Sequence, residues 1–361
     1  MSEQHDMQHE LNALLEGFRA RIKAGRPLQI RGGGTKDWYG QAPQGELLDT
    51  RGYSGIVDYE PTELVITARC GTTLAEIDAA LEKNNQMLAW EPPRFDGAAT
   101  VGGMVAAGLS GPARASAGAV RDFVLGAVLM DAQGEELHFG GQVMKNVAGY
   151  DVSRLLAGSL GTLGLILQVS LKVLPKPFAA STRVFEINQE GALRLLNQCG
   201  GQPLPLTASA WNNKVLTIRL AGAQAAVDSA VKKLGGSELS NGDDFWRDLR
   251  EQQHAFFDAP EQPLWRLSVP SVAPPLDLPG RQLIEWGGAQ RWLRPDGSLD
   301  AVSIRAAALA VGGSASLHRG GDKAIGVFHP LQPAVEKIHR NLKQQFDPAG
   351  IFNPGRMYAG L

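Results

Sequence analysis

Three consecutive glycines, followed by a hydroxyl and an ammonium group, form the first stretch of this sequence that could do chemistry. Gly32 to Gly34 follow the apolar segment 28–31 and precede Thr35 and Lys36. Glycine permits positive φ and lets a bulky anion approach the backbone, so the stretch predicts a phosphate cradle, with a plain turn as the alternative. The spacing excludes a Walker loop, and residues 37–45 do not read as the helix of a Rossmann fingerprint.

Two further glycine-rich stretches extend this prediction. Residues 99–112 carry small side chains almost throughout, and residues 158–164 carry glycines three apart. Tight helix packing alone would explain the first of these stretches. We interpret the second as a wall against a ring system, because it has few polar atoms. The first glycine loop and residues 99–112 both need close approach of the backbone, which favours one elongated ligand with a diphosphate, and a dinucleotide fits that description.

The composition excludes several classes of function. The 361 residues carry a net charge of −2, without runs of basic residues interleaved with aromatics, so nucleic acid is not an expected partner. Cys70 and Cys199 are expected to be buried small side chains, since nearby histidines at metal-ligand spacing are missing. The polar N-terminus does not resemble a signal peptide, and no apolar run approaches the ~20 residues of a membrane span. We expect a cytoplasmic protein.

The periodicity predicts an α+β protein with several strands and many glycines. An amphipathic helix is expected over 7–24 and a hairpin over 123–141. Thr73 and Glu76 predict a capping box. From 183 to 236 the order is strand, helix, strand, strand, helix, which predicts helices on one face of an antiparallel sheet.

The order of the motifs carries a resemblance to a known family. RGGGTK, TVGGMVAAG, GAVRD and AGYDVSRLLAGSLGTLG follow one another as they do in flavoproteins of the vanillyl-alcohol oxidase, or PCMH, type, and FDPAGIFNPGRM is similar to that family's closing segment. Within the family, QVMKNVAGYDVSRL and LPGRQLIEWGGAQRWL look like the FAD-binding E subunit of bacterial glycolate oxidase. The resemblance implies a PCMH-type FAD-binding domain of two subdomains and a smaller α+β cap domain. We expect the FAD-binding domain at 1–177, the cap at 178–325 and a returning C-terminal segment at 326–361.

The resemblance also implies a cofactor and its binding residues. FAD would be held non-covalently, because the first glycine loop has no histidine for a covalent link. The diphosphate would lie on Arg31 to Lys36, the diphosphate and ring along Thr100 to Gly103 and Gly108, and the adenosine side near Gly118 and Val120. Arg121 and Asp122 could equally be a surface ion pair. The expected cofactor-binding residues are Arg31, Gly32, Gly33, Gly34, Thr35, Lys36, Pro92, Thr100, Val101, Gly102, Gly103, Gly108, Gly118, Val120, Arg121, Asp122, Gly161, Gly164, Ile166 and Asn353.

Departures from the family pattern concern the catalytic residues. Leu160 stands where hydroxy-acid dehydrogenases of this type carry an acidic residue, and 316–330 retains only part of their H-x-G-D-G-N-x-H segment. His318 remains, but the second histidine position holds Gly326, and His329 lies three residues too late. We therefore expect no metal site and assign no catalytic base. We interpret His318 as a loop histidine, with a residual role in binding as the alternative.

A chain that binds FAD but lacks both a catalytic base and a set of cysteines for iron–sulfur clusters looks incomplete as a redox enzyme. The resemblance implies a complex that oxidises glycolate to glyoxylate, with a homologous FAD-containing catalytic subunit and an iron–sulfur subunit that passes electrons to quinone. The complex would lie at the cytoplasmic face of the inner membrane through its partners. The tryptophans of the second domain could contribute to the partner interface or pack in its core. A self-sufficient D-2-hydroxy-acid dehydrogenase of the D-lactate type and a non-enzymatic scaffold are the alternatives.

Overall fold

The structure is a computed structural model that describes residues 2–141, 151–297 and 299–361. The predicted motif QVMKNVAGY therefore lies outside the described residues. The first helix, α1 (Ser2–Lys23), confirms the predicted amphipathic helix. Leu11, Phe18 and Ile22 on one face of α1 are buried, and Gly25 in a left-handed conformation follows its end.

The strand before the glycine loop belongs to a small parallel pair. β1 (Leu28–Arg31) pairs with β2 (Glu46–Asp49). On the other edge of β1, the amide of Leu28 donates to the carbonyl of Ile351 at 2.7 Å, and the amide of Asn353 donates to the carbonyl of Leu28 at 2.9 Å. The C-terminal segment is thus hydrogen-bonded to the strand that carries the first glycine loop.

A five-stranded antiparallel sheet forms the main framework of the first half. The elements of this half, in chain order, are β3 (Ile56–Glu60), β4 (Val65–Arg69), α2 (Leu74–Glu82), β5 (Gln86–Met87), α3 (Val101–Ala107), α4 (Arg114–Ala117), α5 (Val120–Phe123), β6 (Val124–Met130), β7 (Glu136–Gly140), α6 (Val152–Leu155), β8 (Leu165–Lys172) and β9 (Leu174–Pro175). The sheet order is β3-β4-β8-β6-β7, and β5 pairs with β9. The predicted hairpin is confirmed as β6 and β7, and the predicted capping box of α2 is present.

An eight-stranded antiparallel sheet forms the second half. Its region contains β10 (Ala179–Glu186), α7 (Gln189–Gly200), β11 (Leu206–Asn212), β12 (Val215–Gly222), α8 (Gln224–Leu234), β13 (Ser237–Glu238), α9 (Gly242–Arg250), β14 (Leu264–Ser268), β15 (Gly280–Glu285), β16 (Gln290–Pro295), α10 (Ala301–Ala310) and β17 (Ser314–Arg319). The order β13-β10-β12-β11-β15-β16-β14-β17 confirms the predicted strand–helix–strand–strand–helix unit. It also joins the later strands to that unit in one sheet.

The cores of the two halves are separate. One apolar cluster combines side chains between residues 11 and 173 with Ile351 and Phe352, whereas three other clusters use only side chains between residues 179 and 317. The division into three segments at 1–177, 178–325 and 326–361 stays a prediction.

The last helix, α11 (Pro333–Phe346), carries a buried ion pair at its end, and the lysine of this pair also bonds to the first half. The Nζ atom of Lys343 donates to Asp347 at 2.7 Å and to the carbonyls of Thr162 and Phe352 at 2.8 and 2.9 Å. The carboxylate of Asp347 also accepts from the amides of Ile351 and Phe352. The pair therefore holds the C-terminal segment against the loop after residue 158.

The idea that tryptophans of the second half form a partner surface is wrong. Trp211, Trp246, Trp265, Trp286 and Trp292 are all at most 9% exposed. They pack inside the sheet region, as tryptophans commonly do, because their large apolar surface gains most from burial. None of the helices that the structure describes combines the length and the apolar composition needed to cross a bilayer.

Candidate functional site

A cavity of about 760 Å³ lies where the three glycine-rich stretches and the C-terminal segment meet. Thirteen of the predicted cofactor-binding residues line it: Arg31, Gly32, Gly33, Gly34, Thr35, Lys36, Thr100, Gly102, Gly103, Gly161, Gly164, Ile166 and Asn353. The fold thus brings together residues that are more than 300 positions apart in the chain.

The first glycine loop presents unpaired backbone donors to this cavity. Within the residues that the structure describes, none of the amides of Gly32 to Lys36 donates a hydrogen bond. Buried or half-buried amides are normally paired, so five consecutive unpaired amides beside a cavity indicate a site for an acceptor-rich ligand. A run of backbone amides of this kind is a typical anion-binding concavity.

Cationic side chains lie beside these amides. The Nζ atom of Lys36 donates to Oγ1 of Thr35 at 3.1 Å. Burial lowers the pKa of Lys36 from 10.5 to about 8, although the nearby carboxylates of Glu251 and Asp96 act to raise it. Arg31 and Arg356 also line the cavity, which has Asp37 as its acidic lining residue. The negative charge of a diphosphate placed here would stabilise the charged form of Lys36, which burial destabilises.

The glycine loop is glycine-rich mainly because it packs tightly against the segment before α3. A Cβ atom built on Gly33 would lie 1.6 Å from the carbonyl oxygen of Ala98, and one on Gly32 would lie 2.2 Å from Thr100 Oγ1. Of the three loop glycines, only Gly34 has positive φ, at +76°. Glycine is used for positive φ at Gly34, whereas at Gly32 and Gly33 it leaves room for segment 98–100. The close approach of an anion to this loop stays a prediction.

The loop at 158–164 is hydrogen-bonded to α3 on one side and to the C-terminal segment on the other. The amides of Gly158 and Leu160 donate to the carbonyls of Val105 and Ala106 in α3, at 2.9 and 2.8 Å. On the other side, Asn353 Nδ2 donates to the carbonyl of Leu160 at 2.6 Å. The apolar residue Leu160 lines the cavity, and the interpretation of this loop as a wall against a ring stays a prediction.

Seven predicted residues do not line the cavity: Pro92, Val101, Gly108, Gly118, Val120, Arg121 and Asp122. Val101 and Val120 are buried in the core, and Gly108 closes α3 with φ of +66° against Gly158. Asp122 caps its own short helix by accepting from the amide of Ala119 at 2.8 Å. The roles of these seven residues in cofactor binding stay predictions.

A second cavity, of about 350 Å³, lies between the large sheet and segment 93–112. Its lining includes Arg266 of β14, Glu285 of β15, Trp292 of β16 and His318 of β17. Phe95 lines it as well and lies 5.3 Å from Lys36 Nζ, measured to the ring centroid. Lys36, which lines the first cavity, is thus in contact with the wall of the second.

The interpretation of His318 as a loop histidine is wrong. His318 lies on β17 and is 2% exposed. The register of β14 against β17 jumps from Leu264–Arg319 to Trp265–Leu317, so His318 is the extra residue of a β-bulge. Bulges turn a side chain out of the normal alternation, and here His318 meets Trp292 with ring centroids 4.7 Å apart. The sequence could not show this, because a bulge is defined by the partner strand.

The second cavity holds a buried polar network around Glu285. Its Oε2 accepts from Trp292 Nε1 at 2.5 Å and from Gln290 Nε2 at 2.9 Å, and burial raises the pKa of Glu285 from 4.5 to about 7. Arg266 Nε donates to Gln290 Oε1 at 2.6 Å. Burial, with Arg266 and Arg319 nearby, holds the pKa of His318 well below its usual range, so its ring is neutral.

Sequence reasoning missed Arg266, Glu285 and Gln290 as members of a site. The signal that could have found them is the presence of charged residues inside strands that are otherwise apolar, since buried charges need partners. No group of three or more His, Cys, Asp or Glu side chains that could hold a metal ion occurs in the described ranges.

Known proteins are similar to this chain over most of its length. The family described as "FAD binding domain" matches residues 10–140. The glycolate oxidase subunit GlcE of Escherichia coli is 48% identical over 349 residues, which is 97% of each chain. A D-lactate dehydrogenase of Archaeoglobus fulgidus is 25% identical over 93% of this chain and 86% of its own.

The fold is shared with more distant proteins. A solved structure of alkyldihydroxyacetonephosphate synthase superposes with a TM-score of 0.64 at 15% identity, over 95% of this chain and 75% of that one. The unpaired amides, the cations and the apolar wall of the first cavity fit the diphosphate and ring of FAD. With its glycine loops, its α+β architecture and its identity to GlcE over nearly the full length, the chain belongs to the GlcE family of FAD-binding glycolate oxidase subunits.

Proposed function

We propose that this chain is the FAD-binding subunit of a complex that oxidises glycolate to glyoxylate. The observation that carries the proposal is the set of five unpaired amides, Gly32 to Lys36, beside the 760 Å³ cavity. The identity to a glycolate oxidase subunit over 97% of both chains supports it.

The residues would divide between the two ends of the cofactor. The amides of Gly32 to Lys36, with the Lys36 ammonium, would hold the diphosphate, whereas Leu160, Gly161 and Ile166 offer apolar contact to a ring. FAD, when bound, supplies a hydride acceptor for the carbon that carries the hydroxyl group. The packing of Gly33 on Ala98 fixes the distance between the loop and α3.

We propose that electrons leave through an iron–sulfur partner towards a quinone. Cys70 and Cys199 are both buried and lie in separate halves of the molecule, so this chain offers no cluster-binding set within the residues described. A homologous FAD-containing subunit would carry the main hydroxy-acid chemistry. The complex would then be cytoplasmic and would meet the inner membrane through its partners.

A second candidate is a self-sufficient dehydrogenase for D-lactate or another D-2-hydroxy acid. It is favoured by the second cavity, which is lined by the half-buried Arg266 and by the buried side chains of Glu285 and His318. The similarity to a D-lactate dehydrogenase over 93% of the chain points the same way.

Assays of the chain alone and of its complex separate the two candidates. The complex would be isolated from native cells by an affinity tag on this chain, and dye reduction would be measured with glycolate and with D-lactate. We expect a yellow chain that turns over poorly alone, and rapid glycolate oxidation by the complex. Rapid turnover of D-lactate by the single chain would favour the second candidate, and a chain without FAD would contradict both.

A further inference from the structure

A carboxylate of the second half is bound to the backbone of the first half. Glu251 directly follows α9, and its Oε2 atom accepts from the amides of Arg94 and Phe95 at 2.9 and 2.7 Å. Its Oε1 atom accepts from Nε of Arg250 at 2.6 Å, and its side chain is 11% exposed. Hydrogen bonds to a charged acceptor are stronger than neutral ones, so Glu251 fixes segment 94–95 to the end of α9.

The segment fixed by Glu251 has an uncommon backbone conformation. Phe95 has a φ of +63°, a left-handed conformation that a bulky residue keeps only when its surroundings impose it. Within the first half, Nε of Arg94 donates to Asp78 next to α3's neighbouring helix α2, at 2.9 Å. Among these contacts, Glu251 is the one that the second half supplies.

The same segment continues to the first glycine loop. A Cβ atom on Gly33 would lie 1.6 Å from the carbonyl oxygen of Ala98, three residues after Phe95. Phe95 also contacts the loop directly, since its ring centroid lies 5.3 Å from the Nζ atom of Lys36. A shift of segment 94–98 would therefore reach both the backbone of the glycine loop and its lysine.

The charge of Lys36 is supported from the second half as well. Burial lowers the pKa of Lys36 to about 8, whereas Glu251 and Asp96 act to raise it and Arg94 acts to lower it. Asp96 is exposed, so solvent screens its effect, but the side chain of Glu251 is largely buried. Glu251 is therefore the main carboxylate that favours the charged form of Lys36.

The other charged side chains near the loop have partners of their own. Arg31 is paired with Asp37 at 2.6 Å. Arg356 of the C-terminal segment donates to the carbonyl of Asp37 at 2.9 Å. Arg319 of β17 lies over the ring of Trp38, 4.0 Å from its centroid. These contacts leave the charge of the loop lysine dependent on the carboxylate from the second half.

Further contacts attach the second half to the first independently of Glu251. Glu91 is paired with Arg219 of β12 at 2.8 Å, and Nε1 of Trp286 donates to the carbonyl of Gly111 at 3.0 Å. Loss of the Glu251 carboxylate alone would therefore leave the two halves joined.

We propose that Glu251 is a positioning residue for the FAD site: from the second half, its carboxylate holds segment 94–98 against the first glycine loop and keeps Lys36 charged for the diphosphate. The lining of the first cavity itself comes from residues 30–166 and 353–356, so this role is indirect. The inference rests on the proposed function, and it gives the second half a part in cofactor binding.

The pH dependence of FAD binding follows from the charge of Lys36. A bound diphosphate raises the pKa of Lys36 above its value of about 8 in the empty site. Below about pH 8 the lysine is charged in both states, so the affinity is constant. Above that pH, FAD binding must be accompanied by the uptake of a proton, and the affinity falls by up to roughly tenfold per pH unit.

The test uses the full chain, first loaded with FAD and then freed of it, and titrated with FAD between pH 6 and pH 9. Fluorescence quenching gives the Kd, and calorimetry in two buffers of different ionisation enthalpy gives the number of protons taken up. For the wild type we expect close to no uptake at pH 6.5, and uptake that rises towards one proton above pH 8.5.

Glu251→Gln separates the charge from the hydrogen bonds. The side-chain oxygen of glutamine can still accept from both amides of segment 94–95, so the Kd at pH 6.5 should stay within about threefold of the wild type. The missing charge should lower the pH at which the affinity begins to fall by roughly half a unit or more. In a Lys36→Met background the same substitution should shift nothing, because the titrating group is gone.

Glu251→Ala removes both the charge and the hydrogen bonds. It should raise the Kd roughly tenfold or more at every pH, because segment 94–98 loses its hold on the glycine loop. Glu261→Gln and Glu261→Ala are the matched controls, since Glu261 is an exposed residue of the second half. Both controls should keep the wild-type Kd and pH profile.

Two results would overturn the inference: a Kd of Glu251→Ala equal to that of its control, or a pH profile of Glu251→Gln that coincides with the wild type. The second result needs only the conservative variant, so the test remains decisive even where Glu251→Ala does not fold. Normal FAD binding with either result overturns this inference alone. A wild-type chain that takes up no FAD overturns the proposed function, and this inference with it.

Discussion

Asn353 and Leu160 are joined by a hydrogen bond of 2.6 Å from the side-chain amide of the first to the carbonyl oxygen of the second. The Oδ1 atom of the same Asn353 accepts from the amide of Ile30 at 2.8 Å. A single side chain near the C-terminus thus holds together the strand before the first glycine loop and the apolar wall of the cavity. The C-terminal segment therefore forms part of the wall of the first cavity, the proposed cofactor site.

Asn353→Asp should weaken FAD binding and destabilise the protein by about 1–3 kcal/mol, because a carboxylate oxygen would face the Leu160 carbonyl without a hydrogen to share. The hydrogen bond from Ile30 would survive, so the fold should be kept. Equilibrium titration with FAD and urea unfolding measure the two effects. Asn12→Asp, on the exposed face of α1, is the matched control, and equal behaviour of the two variants would remove Asn353 from the site.

Gly33→Ala should reduce the affinity for FAD by roughly tenfold or more, about 1.4 kcal/mol. The new methyl group would meet the carbonyl oxygen of Ala98, so the loop and the segment before α3 must move apart. Gly97→Ala is the control, because its Cβ atom would meet open space and its φ is not positive. Fluorescence quenching of FAD during titration gives both dissociation constants, and similar values would contradict the close-packing explanation.

Local patterns of the sequence were enough to predict much of the fold, whereas contacts between distant segments were not. The capping box of Thr73 and Glu76 depends on residues three apart, and it is present. The bulge at His318 depends on the pairing of β17 with β14, to which no local pattern points. The buried network at Glu285 likewise needs strands β14, β15 and β16 side by side.

The glycine-rich lining of the first cavity was predictable because, like the capping box, it depends on local patterns. Each of its glycines is a local signal in the sequence, because a position where the backbone is approached closely requires glycine. Asn353 was predicted only through the family resemblance, since a lone asparagine carries no such signal. The packing of Gly33 against Ala98 was not predicted, because the sequence does not show which segment a loop packs against.

Lys343→Met should destabilise the protein by about 3–5 kcal/mol, because it leaves Asp347 buried without its cation. The side chains of Lys343 and Asp347 are 11% and 0% exposed, and the ammonium group also binds two backbone carbonyls. Thermal and urea unfolding measure the loss. Lys337→Met on the exposed side of the same helix serves as the control, and a loss no greater than that of the control would show that the pair is not structural.

Glu285→Gln should change how stability depends on pH. Burial raises the pKa of the folded-state carboxyl group from 4.5 to about 7, so the folded protein binds more protons than the unfolded chain between these values. The wild type therefore loses about 3 kcal/mol from Glu285 as the pH rises through this window, and no more above it.

The variant with glutamine avoids this loss, because the amide does not ionise. Its free energy of unfolding relative to the wild type should grow from near zero at pH 4.5 to a plateau above pH 7. Urea unfolding at half-unit steps of pH measures the difference. A constant difference across the range would show that Glu285 titrates normally in the folded protein.

The central claim is that the first cavity holds FAD without a covalent bond, and one measurement tests it most directly. The purified full-length chain is denatured with acid, the precipitate is removed, and the absorption spectrum of the supernatant is recorded against the protein concentration. The account predicts a flavin spectrum at close to one FAD per chain. A colourless supernatant from a chain that also takes up no added FAD after refolding, or flavin that stays with the precipitate, would contradict it.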